Sequence, residues 1–169
     1  MRVVVDDLAF LPADAIVRPA TTDLAPTTPA LRRLEQMGGA EFIRHTRSSI
    51  ELAVGAAVVT AAGGDLPAEF VIHAIILGRE EAVSPTGVRR AWHAALAQAR
   101  EWGFGRLSVP PIGIGAGNLT LETAAEILVS VFLEEATTSA LPEVTVVVET
   151  EEEREVFAGV LRRLTARYS

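Results

Sequence analysis

A glycine-rich segment, residues 106–118, holds the residues whose types and spacing point most directly to chemistry. Its sequence, RLSVPPIGIGAGN, ends an apolar run in two prolines and then places Gly113, Gly115 and Gly117 at alternate positions. Glycine lets a backbone approach a ligand closely and adopt positive φ, and free N–H groups beside a helix N-terminus favour an anion. The segment therefore predicts a phosphate site, for a nucleotide or a phosphorylated sugar.

The same segment also fits a structural turn between a strand and a helix. It lacks the Gly-Lys-Ser/Thr of a P-loop and the spacing of the G-x-G-x-x-G fingerprint. The pattern alone leaves both interpretations open.

The elements that must position this segment alternate between strands and helices. Apolar and β-branched runs predict strands at 2–5, 14–17, 56–62, 70–77, 107–109 and 144–149. Helical spacing predicts helices at 30–37, 40–52, 84–102, 119–135 and 151–164, with Gly38 and Gly39 ending the first. This order predicts an α/β layered domain. Ligands bind beyond the carboxyl ends of strands in such sheets, so loops 18–29 and 110–118 are predicted to be two walls of one cleft.

Length and composition narrow the class of protein. The 169 residues predict a single domain, 1–169. The net charge of -7 argues against general nucleic-acid binding. The lack of cysteine removes disulfides, thiol catalysis and cysteine metal sites. No signal peptide and no membrane-spanning apolar stretch are visible, so we expect a cytoplasmic protein with no membrane partner.

Several segments, in order, resemble the macrodomain family of ADP-ribose-binding modules. VDDLA at 5–9 stands where the family has Gly-Asp-Ile-Thr, and DAIV at 14–17 matches its Asp-Ala-Ile-Val. LPAEFVIHA at 66–74 is close to its Leu-Pro-x-x-Tyr-Val-Ile-His. VPPIGIGAG at 109–117 is similar to its Phe-Pro-x-Ile-Ser-Thr-Gly-x-x-Gly. The resemblance covers nearly the whole chain and implies a three-layer α/β/α fold with a central mixed sheet.

The resemblance also implies a ligand site for ADP-ribose or a related phosphorylated nucleotide. Asp7 would accept a hydrogen bond from the adenine amino group, Thr21 would face the distal ribose, and the backbone of 113–118 would wrap the diphosphate. No catalytic residue, metal or cofactor is assigned. The implied ligand-binding residues are Asp7, Leu8, Ala20, Thr21, Thr27, Thr28, Ile112, Gly113, Ile114, Gly115, Ala116, Gly117 and Asn118.

The chain departs from the family on the wall that faces this loop. RPAT at 18–21 replaces Asn-Ala-Ala-Asn, and TTPA at 27–30 replaces a glycine-rich run. Thr21 lacks the paired donor and acceptor of an amide, and Pro29 has no N–H to offer a phosphate. We therefore expect a degenerate pocket.

Three polar residues admit a structural as well as a functional interpretation. Asp7 either accepts a hydrogen bond from the adenine or caps a turn. Arg18 either binds phosphate or, as we favour, pairs with Asp7 or Asp23, because a buried charge needs a partner. His73 lies within an apolar strand and is interpreted as a core histidine rather than a base.

The leading functional hypothesis is a binding module for ADP-ribose or a related nucleotide. Hydrolysis of ADP-ribosyl esters or O-acetyl-ADP-ribose is an alternative. A structural or interaction role with a decayed pocket is another, which filling of the cleft by Arg18 and Pro29 would favour.

Overall fold

The computed structural model describes residues 1–46, 52–115 and 118–168. Within them, strands and helices alternate through most of the chain, as the sequence predicts. The elements are β1 (Arg2–Val5), β2 (Ala15–Thr21), α1 (Pro29–Thr46), β3 (Ala57–Ala61), β4 (Phe70–Leu77), α2 (Pro85–Trp102), β5 (Arg106–Val109), α3 (Leu121–Ala136), β6 (Glu143–Val148) and α4 (Glu151–Thr165).

The described strands form one six-stranded sheet in the order β1-β6-β5-β2-β4-β3. Neighbouring strands are parallel, except that β3 runs antiparallel to β4. Parallel sheets are covered on both faces, and β4 accordingly has a nearly continuous apolar sequence, FVIHAIIL, with its six inner residues buried. The expected central mixed sheet is confirmed.

Helices cover both faces of the sheet. Helices α2, α3 and α4 pack on one face, where Trp92 and Phe157 join the main core. Helix α1 covers the other face, where Leu34 packs on Ile16 of β2. The three-layer α/β/α arrangement is therefore confirmed, and the carboxyl ends of β1, β6, β5 and β2 meet at one edge of the sheet.

Local sequence signals explain why the helices begin where they do. The Ser84 hydroxyl accepts a hydrogen bond from the Gly87 N–H at 3.0 Å, and Pro85 occupies the first helical position. Thr120 and Thr150 cap α3 and α4 in the same way. These side chains satisfy N–H groups that a helix leaves free at its start.

The first helical region confirms the predicted interruption at Gly38 and Gly39. Gly39 has a non-helical backbone, with φ 64° and ψ -153°, so α1 consists of two helical segments joined at a kink. Beyond the kink, Phe42 is fully buried against Ala62 and Val71, which holds the second segment on the sheet. The prediction for 47–51 lies outside the described residues.

No helix in the described ranges combines the length and apolarity needed to cross a membrane.

Candidate functional site

A cleft opens at the edge of the sheet where β2 and β5 separate. The last paired residues of these two strands are Ile16 and Ser108. Beyond them, Pro19 on β2 and Pro110 and Pro111 after β5 have no N–H to continue a ladder. The cleft has a volume of about 650 Å³, within the usual range of small-molecule sites.

The cleft receives residues from five parts of the fold. They are the turn after β1, the middle of β2, the first turns of α1, the loop after β5 and the end of β6 with the start of α4. The lining residues are Asp6, Asp7, Leu8, Ala9, Pro19, Thr28, Pro29, Ala30, Leu31, Arg33, Leu34, Pro110, Pro111, Ile114, Gly115, Val147, Val148, Glu149 and Glu153.

The glycine loop after β5 lines this cleft with Ile114 and Gly115. Gly113 and Gly115 adopt φ of 99° and 76°, in the region that favours glycine. Gly113 is buried, and a Cβ added to it would lie 2.6 Å from Leu119 Cδ1. Within the described residues, the N–H groups of Gly113, Ile114 and Gly115 make no hydrogen bond. Such free N–H groups on a loop with alternating positive φ suit an anion.

Asp7 follows β1, and each of its two carboxylate oxygens contacts a different group. Oδ1 accepts a hydrogen bond from the Ala9 N–H at 2.9 Å, and Oδ2 lies 3.0 Å from Nη2 of Arg33. Asp7 therefore caps a turn, as one of its two interpretations requires. A carboxylate has about four acceptor positions, so these contacts leave room for a ligand donor.

Arg33 was not recognised from the sequence and is the single cation among the described lining residues. Four carboxylates, those of Asp6, Asp7, Glu149 and Glu153, line the same cleft. Helical spacing contains the missed signal, because residues 30 and 33 share one face of a helix. A helix that presents Ala30 to the cleft therefore presents Arg33 as well.

The wall formed by the start of α1 offers few donors for a phosphate. Pro29 has none, and the N–H of Leu31 is bonded to the Thr28 carbonyl at 3.1 Å. Ala30 keeps an N–H with no hydrogen bond within the described residues. Thr28 approaches the opposite loop so closely that a Cβ added to Gly115 would lie 2.9 Å from Thr28 Cγ2.

The segment between β2 and α1 folds onto itself. The Thr21 hydroxyl accepts hydrogen bonds from the Asp23 and Ala25 N–H groups at 3.3 and 3.0 Å. The side chain of Leu24 is buried against Ala20. The backbone of Leu24 is in the left-handed region, with φ 61°. The Thr21 hydroxyl therefore stabilises this turn.

Arg18 is fully buried beneath α1 and does not line the cleft. Its Nη1 donates to Glu35 Oε1 at 3.1 Å, its Nη2 to the Leu24 carbonyl at 2.6 Å and its Nε to His73 Nδ1 at 2.8 Å. Its Cζ lies 5.1 Å from the ring centroid of Phe42. The structural interpretation is confirmed, but the predicted partners Asp7 and Asp23 are wrong. Residue 18 faces α1, which brings Glu35 within reach, whereas Asp7 and Asp23 pair elsewhere.

The Arg18 network also sets the state of His73. Because Nδ1 accepts from Arg18, the ring proton lies on Nε2, which donates to Thr60 Oγ1 at 2.7 Å. Burial and the Arg18 guanidinium hold the pKa of His73 well below its ordinary value. Burial also lowers the pKa of Arg18 to about 10, against the opposing effect of Glu35. The prediction of a satisfied core histidine is confirmed.

The structure brings part of the predicted site together. Asp7, Leu8, Thr28, Ile114 and Gly115 line the cleft. The other described residues of the predicted site do not line it: Ala20, Thr21, Thr27, Ile112, Gly113 and Asn118. Ala116 and Gly117 lie outside the described residues. Ligand contacts for all of them stay a prediction.

Relatives known from sequence cover most of this chain. A protein of Aeropyrum pernix is 32% identical over 126 residues, which are 74% of this chain and 66% of that protein. A protein of Mycobacterium bovis is 32% identical over 123 residues, 73% of this chain and 34% of that protein. The chain thus spans less than two thirds of the length of these relatives.

Solved structures show the same fold. The Oceanobacillus iheyensis macrodomain with ADP has a TM-score of 0.86 and 20% identity, with 98% of this chain and 91% of that chain covered. The Trypanosoma brucei macrodomain in complex with ADP-ribose has a TM-score of 0.79 and 22% identity, with 93% and 67% covered. The sequence model of the Macro domain matches residues 17–128, more than half of the chain. The chain therefore belongs to the macrodomain family.

Proposed function

We propose that this macrodomain binds ADP-ribose or a related adenine nucleotide in the cleft between the glycine loop and the start of α1. The observation that carries the proposal is the pairing of two features in one cleft. One is the pair of N–H groups of Ile114 and Gly115, which make no hydrogen bond within the described residues, and the other is the Asp7 carboxylate after β1.

The chemistry of the two regions matches the two parts of a nucleotide. Free N–H groups hold phosphate oxygens, and a carboxylate accepts from the amino group of a base. Between them lie apolar side chains, among them Leu8, Leu34 and Val147, which suit a base and a sugar face. The solved macrodomain structures with ADP and with ADP-ribose support this ligand class.

The proposed pocket is degenerate on one side. The wall at the start of α1 contributes Pro29 without an N–H and Leu31 with its N–H already bonded. Most phosphate donors would therefore come from the glycine loop. Arg18 leaves the cleft open, because its side chain lies under α1, and this open cleft favours binding over a decayed pocket.

Titration calorimetry with AMP, ADP and ADP-ribose tests the proposal. Asp7→Asn keeps an acceptor for the Ala9 N–H and removes the charged oxygen, so it should weaken binding about tenfold, the value of one charge-assisted hydrogen bond. Asp23→Asn is the matched control, because Asp23 is exposed and outside the cleft. Absence of heat with all three nucleotides at millimolar concentration would refute the proposal.

A further inference from the structure

A groove lies at the edge of the sheet opposite the cleft, at the amino ends of β2, β4 and β5. Asp14 precedes β2, Phe70 is the first residue of β4, and Phe104 lies between α2 and β5. These three strands are parallel, so their amino ends share one edge and their carboxyl ends the other. The groove has a volume of about 710 Å³ and shares no lining residue with the cleft.

Three aromatic rings form a cluster at this groove. Phe70 and Phe104 line it, with their ring centroids 5.3 Å apart. The Trp102 ring contacts both, with centroid distances of 5.2 Å to Phe70 and 5.9 Å to Phe104. Trp102 is the last residue of α2, and half of its surface is exposed. An exposed aromatic cluster attracts a cation, because the ring faces carry partial negative charge.

Two carboxylates of the groove are available to a ligand. Asp14 Oδ2 accepts hydrogen bonds from the Gly105 and Arg106 N–H groups at 2.7 and 2.8 Å, which fixes the carboxylate in place. Its Oδ1 and the exposed Glu69 side chain make no hydrogen bond or ion pair within the described residues. No Lys, Arg or His is among the described residues that line the groove. The groove is therefore negatively charged beside its aromatic rings.

We propose that this groove is a docking site for an arginine side chain in a basic segment of a partner protein. The flat guanidinium group both stacks on aromatic rings and donates to carboxylates, whereas the compact lysine ammonium is more strongly hydrated. The net charge of -7 disfavours a second copy of this chain as the occupant, because like-charged copies repel each other. The site is separate from the proposed nucleotide cleft and does not depend on it.

NMR titration of the ¹⁵N-labelled protein tests this proposal. The probe is the blocked peptide acetyl-Gly-Gly-Arg-Gly-Gly-amide, and the matched peptide has citrulline, an uncharged group of the same shape, in place of arginine. We expect the arginine peptide to shift the Trp102 indole N–H signal in a saturable manner and the citrulline peptide to bind at least about fivefold more weakly. Trp92 is the internal control, because it is buried and its indole N–H donates to the Leu128 carbonyl at 3.0 Å.

Two pairs of variants locate the binding site. Glu69→Gln should weaken binding of the arginine peptide about threefold, whereas Glu152→Gln removes the same charge from an exposed position on α4 and should leave it unchanged. Trp102→Ala, followed through the backbone N–H signal of Phe104, should weaken binding at least about threefold. Tyr168→Ala is its matched control, because Tyr168 is 47% exposed and lies outside the groove. Thermal unfolding checks that each variant retains the fold.

Three results would overturn the proposal. One is the lack of a saturable shift at millimolar arginine peptide. Another is equal binding of the citrulline peptide, which would show that the contact does not depend on the positive charge. The third is an equal loss of affinity in Glu69→Gln and Glu152→Gln, which would show attraction to the whole acidic surface instead of binding in the groove.

Discussion

Acidification from pH 7.0 to pH 5.5 should destabilise this protein through His73. Its Nδ1 accepts a hydrogen bond from the Arg18 Nε–H. A proton on Nδ1 would therefore point at another hydrogen-bond donor, and this hydrogen bond would be lost. Burial and the adjacent guanidinium hold the pKa of His73 well below its ordinary value. Histidine in an unfolded chain titrates near pH 6.5. Below that pH the unfolded chain takes up a proton that native His73 excludes, and stability falls.

The magnitude follows from the linkage between proton binding and unfolding. If native His73 stays neutral throughout, the free energy of unfolding falls by about 1.3 kcal/mol between pH 7.0 and pH 5.5 from this group alone. The loss approaches about 1.4 kcal/mol for each further pH unit. It continues until the pH reaches the lowered native pKa.

Urea unfolding at several pH values, followed by circular dichroism, measures this loss. His73→Asn retains an acceptor for Arg18 and does not titrate, so its free energy of unfolding should fall by about 1.3 kcal/mol less over the interval. His93→Asn is the control, because His93 is exposed on α2, and it should retain the loss due to His73. An identical pH dependence in the wild type and His73→Asn would refute a buried neutral imidazole.

Three further substitutions test the buried network, the amino end of β2 and the glycine loop. Arg18→Ala leaves Leu24 and His73 without a buried donor, and urea unfolding should show a loss of about 3–5 kcal/mol; a loss below about 1 kcal/mol would contradict the network. Asp14→Ala removes the carboxylate oxygen that accepts the N–H groups of Gly105 and Arg106. This should cost about 2 kcal/mol in the same assay while leaving ADP affinity within about twofold. Gly113→Ala places a Cβ 2.6 Å from a leucine carbon at positive φ, and a loss of about 1–3 kcal/mol is expected by thermal unfolding; unchanged stability would show that the loop can relax.

The fold was predictable because its signals are local. Ser84 and Pro85 mark the start of α2 within the sequence itself, and the apolar run of β4 identifies a strand covered on both faces. Gly39 was recognised as an interruption. The helical backbone is interrupted there, but the position of the second segment on the sheet depends on the burial of Phe42, which is a tertiary effect.

The site was less predictable because its contacts join distant parts of the chain. Glu35 reaches Arg18 only when α1 lies on the sheet with that face inward. Thr28 and Gly115 lie close together, but they belong to two different loops. The position of each loop is set by its own neighbouring strand and helix. Arg33 and its contact with Asp7 likewise need the position of α1, which no single segment specifies.

The prolines beside the cleft have a consequence for the kinetics of binding. Pro19, Pro110 and Pro111 cannot donate to a ladder, and β2 and β5 pair only as far as Ile16 and Ser108. Because these strands are not paired beyond that point, they need not separate before a ligand reaches this edge of the sheet. Association is governed by diffusion and orientation, and affinity differences among ligands should reside mainly in their rates of departure.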